Sequence, residues 1–163
     1  MKRKTLFICH AAIIAAMYVA LTHLSTMLGL SSGVIQCRFS EALCILPFFT
    51  PAAIPGLAIG CLIANLLASA IWQDLVFGTL ATLLGALGTY FLRKQSRFLA
   101  PIPPILANTL IIPFVLKLAY GLGDALPFIF LTVGIGEVIS AGIFGYVLLC
   151  AIYPMRKKIF KNS

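Results

Sequence analysis

Long apolar runs separated by brief polar breaks set the pattern of this chain. The first run, near residues 5–24, follows three basic residues and gives way to the loop-like STMLGLSSGVIQC. A short apolar segment near residues 39–49 comes next. It ends at FFTPAAIPG, where Thr50 is placed to cap a new helix and Pro51 to occupy its first turn. Further runs cover residues 52–72, 75–92, 104–120 and 126–153, with RKQSR between the fourth span and the fifth. Apolar runs of roughly 18 residues or more match the hydrocarbon thickness of a bilayer. The pattern predicts an all-α integral membrane protein, one domain over residues 1–163.

The short second segment decides the topology. As an α-helix of about 11 residues it reaches only about 16 Å, too little to cross alone. The basic residues settle whether it crosses. Lys2, Arg3 and Lys4 open the chain, Arg93, Lys94 and Arg97 form a cluster in its middle, and Arg156, Lys157, Lys158 and Lys161 close it. Basic residues flanking spans mark the cytoplasmic side. Only if the short segment crosses do all three groups fall on one side. The expectation is therefore a six-transmembrane-helix bundle with a short second helix and both termini cytoplasmic. The opening MKRKTLFICHAAIIAAMYVAL has the basic head of a signal peptide. Its apolar run continues past the usual length with no clear cleavage site, and it is read as a retained span.

Composition agrees. The chain is 61% hydrophobic and 10% charged, against about 25% charged in a soluble domain. Its net charge of +8 is accounted for by the span flanks, so no nucleic-acid surface is needed. The five cysteines show no paired spacing, and neither a disulfide framework nor a metal site is expected. No cofactor is expected. No GxxxxGK[ST] phosphate loop occurs, so ATP-driven transport would need a partner ATPase.

This topology puts Arg38, Glu41, Gln73, Asp74, Lys117 and Asp124 near the outer face, Asn65 in the outer part of the third span, Asn108 near mid-depth, and Glu137 about 16 Å into the sixth. A bundle polar inside its outer half and apolar below suggests a pocket open to the outside rather than a continuous pore. Glu137 is the first candidate, because an ionisable residue inside a span is a functional hypothesis by default. Its alternative is a helix-tying pair with Lys117 or Arg38. Arg38 and Glu41 either line the pocket mouth or pair with each other across one turn. Asn65 and Asn108 can both donate and accept, to a ligand or as glue between helices. Trp72, Tyr120 and Phe128 can stack on a flat ring or anchor the protein at the membrane interface. His10 and His23 flank the first span and are not read as ligands. Ala12, Ala16 and Ala20 fall on one face of the first span, with Ala11 and Ala15 in a neighbouring row. Small residues at this spacing let another helix approach closely, within the bundle or from outside it.

The stretches FSEALCILPFFTPAAIPGLAIGCLIANLL, DLVFGTLATLLGALGTYFL, LAPIPPILANTLI and GIGEVISAGIFG resemble the queuosine-precursor branch (QueT) of the substrate-binding components of energy-coupling factor transporters. The resemblance covers about residues 12–150. Cys37, just before Arg38, departs from the bulkier apolar residue expected there, and GLGDALP is too short to act as a lid. The resemblance implies a multi-pass protein of the bacterial cell membrane that is not itself an enzyme. It implies a deazaguanine ligand bound near the outer face, with Glu137, Glu41, Arg38, Asn108, Asn65 and Trp72 as substrate-binding candidates. It also implies a transmembrane coupling protein and two ATPase subunits as partners, with Ala12, Ala16 and Ala20 docking on the coupling protein. The composition admits rival readings: a binding component for another small vitamin-like ligand, a small oligomeric channel, or a membrane enzyme. The enzyme would need clustered nucleophile, base or metal ligands, and the sequence offers none.

Overall fold

The computed structural model describes residues 3–30, 35–68, 70–121 and 123–160. The described residues form helices and turns. Helix α1 covers Arg3–Met27, α2 Ala53–Leu67, α3 Trp72–Leu92 and α4 Ile102–Leu118. A last rod begins as α5 (Leu126–Glu137), winds as a π-helix over Val138–Phe144 and continues as α6 (Gly145–Ile152). A short 3₁₀ turn at Tyr153–Met155 leads into α7, Arg156–Ile159. Among the described residues four helical stretches are long and apolar enough to cross a membrane: Arg3–Met27, Trp72–Leu92, Arg97–Leu118 and Leu126–Ile159.

The short second segment is not an α-helix. Phe39–Phe48 winds as a 3₁₀ helix with Pro47 inside it. Proline supplies no N–H to an α-helical ladder and crowds the preceding turn. At about 2.0 Å per residue its ten residues reach about 20 Å, further than the same residues would as an α-helix. Residues 40–47 are all buried, so this segment is a central pillar with helices around it. The core gathers on it: Leu43, Cys44, Ile45 and Leu46 pack with Ile14 and Tyr18 of α1, Leu57 and Cys61 of α2 and Leu149 of α6.

The helices that follow are packed as sequential neighbours, α1 on α2, α2 on α3, α3 on α4 and α4 on α5. Contact between α1 and α2 is backbone to backbone. A Cβ added at Gly56 would lie 2.7 Å from the Ala11 carbonyl oxygen, and one at Gly60 2.8 Å from Tyr18 Cβ. Large apolar side chains face outward instead, as Leu106, Leu110, Phe114 and Leu118 do along α4, while Asn65, Thr82, Thr89 and Asn108 are buried. Such an inverted distribution suits a hydrocarbon surround.

Two expectations shift. The third span was expected over residues 52–72, but α2 ends at Leu67 and Trp72 opens α3. The backbone leaves the helix before Trp72, where Ala70 N–H bonds back to the Asn65 carbonyl. Thr50 does not cap α2, whose N-cap is Ala52 without a side-chain cap bond; Thr50 Oγ1 instead accepts from Ala52 N–H at 3.2 Å in the turn ahead of the helix, and Pro51 lies in that turn rather than in the first turn of the helix.

The basic groups converge on one end. Arg97 lies over the Tyr153 ring, and His10 of α1 meets Phe160 edge-on. The ends of α3 and of the last rod and the start of α1 therefore share a pole. Lys2 and Lys161 lie outside the described residues.

Candidate functional site

At the opposite pole the pillar begins with a carboxylate. Glu41 is buried, and three donors from three elements meet it. Tyr18 Oη of α1 lies 2.5 Å from Oε1. Cys44 Sγ, one 3₁₀ turn on, and Asn108 Nδ2 of α4 each lie 3.2 Å from Oε2. Winding brings Cys44 into place, because residues three apart eclipse in a 3₁₀ helix. A buried carboxylate is tolerable only with such partners.

Glu137 ends α5 where the rod turns to π winding. Single π turns inside α-helices are frequent at functional sites. One face of this region is strapped by residues 36–38. A Cβ at Gly136 would fall 2.1 Å from the Gln36 carbonyl oxygen, so only glycine lets the strap lie there. One turn on, Ser140 Oγ accepts from Arg38 N–H at 3.1 Å and lies 3.1 Å from Cys37 Sγ. Cys37 therefore fits here as a small polar contact in place of the bulkier residue expected. Buried Oε2 of Glu137 has no hydrogen-bond partner among the described residues. A buried carboxylate oxygen left so costs about 1–3 kcal/mol or more, which is what a ligand donor would recover.

Strap, pillar and helices enclose a cavity of about 30 Å³. Charged and amide groups on its wall are Arg38, Glu41, Asn108, Glu137 and Gln36; Thr82 adds a hydroxyl. The volume suits one or two water molecules. Pockets for small organic ligands run to roughly 300 Å³ and more, so the cavity would have to widen to admit one. Among the described residues no cluster of three His, Cys, Asp or Glu could hold a metal ion.

A model of the QueT transporter family matches residues 8–154. The chain belongs to the QueT transporter family. It is similar to the queuosine precursor transporter QueT of Lactococcus lactis subsp. cremoris (strain MG1363), 44% identical over 82 residues. That match covers 50% of this chain and 48% of the relative, so the chain spans about half the length of the curated relative it matches. No solved structure matches the chain. Family and apolar helices together make this a multi-pass membrane protein of a transporter family.

Four of the six ligand candidates in this QueT-family chain share the cavity: Glu137, Glu41, Arg38 and Asn108. The other two stand apart. Asn65 is buried behind the wall, its Nδ2 3.4 Å from the Asp74 carbonyl oxygen and 3.7 Å from Cys61 Sγ, which is the helix-joining use of an amide. Trp72 is 67% exposed at the start of α3, as an interfacial anchor would be. The pairings weighed as alternatives are not formed. Lys117 Nζ donates to the Asp124 carbonyl rather than to Glu137. Glu41 takes its hydrogen bonds from Tyr18, Cys44 and Asn108 rather than from Arg38, which lines the same cavity. Ala12, Ala16 and Ala20 are exposed along α1, while Ala15 is buried against α2.

Tyr18, which donates to Glu41, was not among the candidates offered by the sequence, and neither were Gln36 and Thr82 of the cavity wall. For Tyr18 a signal was present. Ile14, Tyr18, Thr22 and Ser25 recur at helical spacing, and all four are buried on the inner side of α1.

Proposed function

We propose that this chain is the substrate-binding component of an energy-coupling factor importer, capturing a queuosine precursor at the outer end of the cavity and releasing it inward. The observation that carries this reading is the unpartnered Oε2 of Glu137 on a cavity shared with Arg38, Glu41 and Asn108. Deazaguanines present two adjacent N–H donors on one edge, and a carboxylate can accept both. Asn108 offers an amide for the ring carbonyl. The relative's name as a queuosine precursor transporter points the same way.

The wider assembly belongs to the same proposal. Six apolar helices, four long and the two short stretches Phe39–Phe48 and Ala53–Leu67, cross the membrane. The pole that gathers the basic residues is cytoplasmic by the positive-inside rule. Energy comes from two ATPase subunits acting through a transmembrane coupling protein, against which the exposed Ala12, Ala16 and Ala20 face of α1 docks. A channel is the weaker reading, because the pillar below Cys44 is apolar, with Ile45, Leu46 and Pro47 buried.

Calorimetric titration of the purified chain with 7-aminomethyl-7-deazaguanine, 7-cyano-7-deazaguanine, queuine and guanine tests the proposal. Glu137→Gln turns one acceptor into a donor facing an N–H. The expected loss is at least roughly tenfold in affinity for all three precursors, at 1.4 kcal/mol per decade. Undiminished binding by a folded Glu137→Gln protein would remove Glu137 from recognition.

A further inference from the structure

The pole that gathers the basic residues holds a second concavity. It is a crevice of about 600 Å³ whose cations are Arg93 from the end of α3 and Arg156 and Lys157 from α7. Its apolar wall comes from Phe48, Phe49 and Phe160, and Phe49 and Phe160 stack with their rings 5.6 Å apart and 4° from parallel. Tyr153 is clasped by two guanidinium groups, with Arg156 Cζ 3.8 Å and Arg97 Cζ 4.4 Å from its ring centroid. A backbone bond from Arg156 Nη1 to the Tyr153 carbonyl, 2.8 Å, fixes one of them. Two of the crevice cations are thus held on aromatic faces, Arg156 on Tyr153 and Arg93 on Tyr90, whose ring centroid lies 3.8 Å from Arg93 Cζ.

Among the described residues they have no acidic counterpart. The chain has four Asp and Glu residues in all. Glu41 and Glu137 line the cavity in the other half of the bundle. Asp74 is hydrogen-bonded to Tyr120 beyond the far end of α4, and the Asp124 carbonyl receives Lys117. Positive charge at this pole is left for an outside anion to balance.

We propose that this crevice holds the phosphate headgroup of an anionic phospholipid, with the glycerol and upper acyl carbons against Phe48, Phe49 and Phe160. The shared chemistry is a phosphate ester. The source is a lipid because the cations sit at the ends of apolar helices, where headgroups lie, and because an aromatic floor gives a free phosphate nothing to contact. This site is separate from the Glu137 cavity, and its test does not depend on transport.

The experiment measures binding of short-chain phosphatidylglycerol to the full detergent-solubilised chain, with phosphatidylcholine, inorganic phosphate and polyglutamate as comparison ligands. Phosphatidylglycerol should bind the native chain far more tightly than phosphatidylcholine. The combined Arg93→Gln, Arg156→Gln and Lys157→Gln variant should lose roughly fivefold in affinity per charge. The charge-keeping Arg93→Lys and Arg156→Lys variant should lose much less. Should the triple variant fail to fold, Lys157→Gln alone, at an exposed position, should still show the single fivefold step. Unchanged affinity in either Gln variant overturns the proposal, as does equal binding of phosphatidylcholine. Competition by inorganic phosphate at equal strength would make this a free-phosphate site, and by polyglutamate a dock for an acidic protein. Either would overturn the lipid assignment.

Discussion

Tyr18 Oη donates to Glu41 Oε1 at 2.5 Å, across 23 residues of sequence and between α1 and the central pillar. The bond joins two surfaces of different character. On its inner side α1 presents Tyr18 to the carboxylate that bounds the cavity; on its outer side it presents Ala16 and Ala20 to whatever lies beyond. Any displacement of α1 along its axis therefore acts directly on a wall of the candidate site.

Removing that hydroxyl should be costly. Tyr18→Phe keeps the ring and leaves Glu41 with only its thiol and amide donors. The expected destabilisation is about 1–3 kcal/mol, the range for a buried polar group that loses a partner, and more where a charge is involved. Thermal unfolding in detergent measures it. A melting temperature equal to that of the native chain would show that the bond contributes nothing to stability.

The strap over Glu137 offers a sharper steric test. Gly136→Ala places a methyl where the Gln36 carbonyl oxygen now lies, at 2.1 Å. Residues 36–38 must lift, and Arg38 with them. Overpacking of this kind costs typically 1–3 kcal/mol. Precursor affinity should fall, because Arg38 and Glu137 no longer share one wall. Retained affinity with native stability would place the strap outside the binding site.

For docking, the informative position is Ala16. It is exposed, whereas Ala15 is buried against α2. Ala16→Trp should leave precursor binding within about threefold of native, since exposed changes usually cost under 0.5 kcal/mol. It should also sharply reduce co-purification with the energising module, because a bulky ring prevents close helix approach. Loss of binding with intact assembly would mean that this face serves packing inside the bundle.

Orientation is open to direct labelling. Ser96, whose hydroxyl accepts from Phe98 N–H at 3.3 Å, lies in the basic turn after α3. A cysteine placed there, in a chain with its five native cysteines replaced, should resist an impermeant thiol reagent in intact cells and react after permeabilisation. Ready labelling of intact cells would invert the topology.

Much of this architecture was legible in the residues. The pairing of basic groups at one pole followed from charge placement alone, and the cavity residues Arg38, Glu41, Asn108 and Glu137 were the polar exceptions in apolar surroundings. Two features were not. The winding of Phe39–Phe48 left no trace, because FSEALCILPF carries its two polar residues, Ser40 and Glu41, side by side, and so has no repeating polar face whose period could separate 3.0 from 3.6 residues per turn. Trp72 was assigned to the wrong helix because Gln73 and Asp74 look like a loop. They lie instead in the first turn of α3, where an acidic residue suits the helix dipole.

The pillar's winding also sets its length and its chemistry together. With three residues per turn, Glu41, Cys44 and Pro47 stand in a single file. With 3.6 they would fan apart by about 60° per step. Rewinding the ten residues to an α-helix would shorten the segment by about 5 Å. It would also swing the Cys44 thiol off the carboxylate it now contacts at 3.2 Å. Pitch is thus a mechanical variable of this protein: a change in the coiling of one buried segment would alter the reach of the pillar and the number of donors at Glu41 in the same stroke.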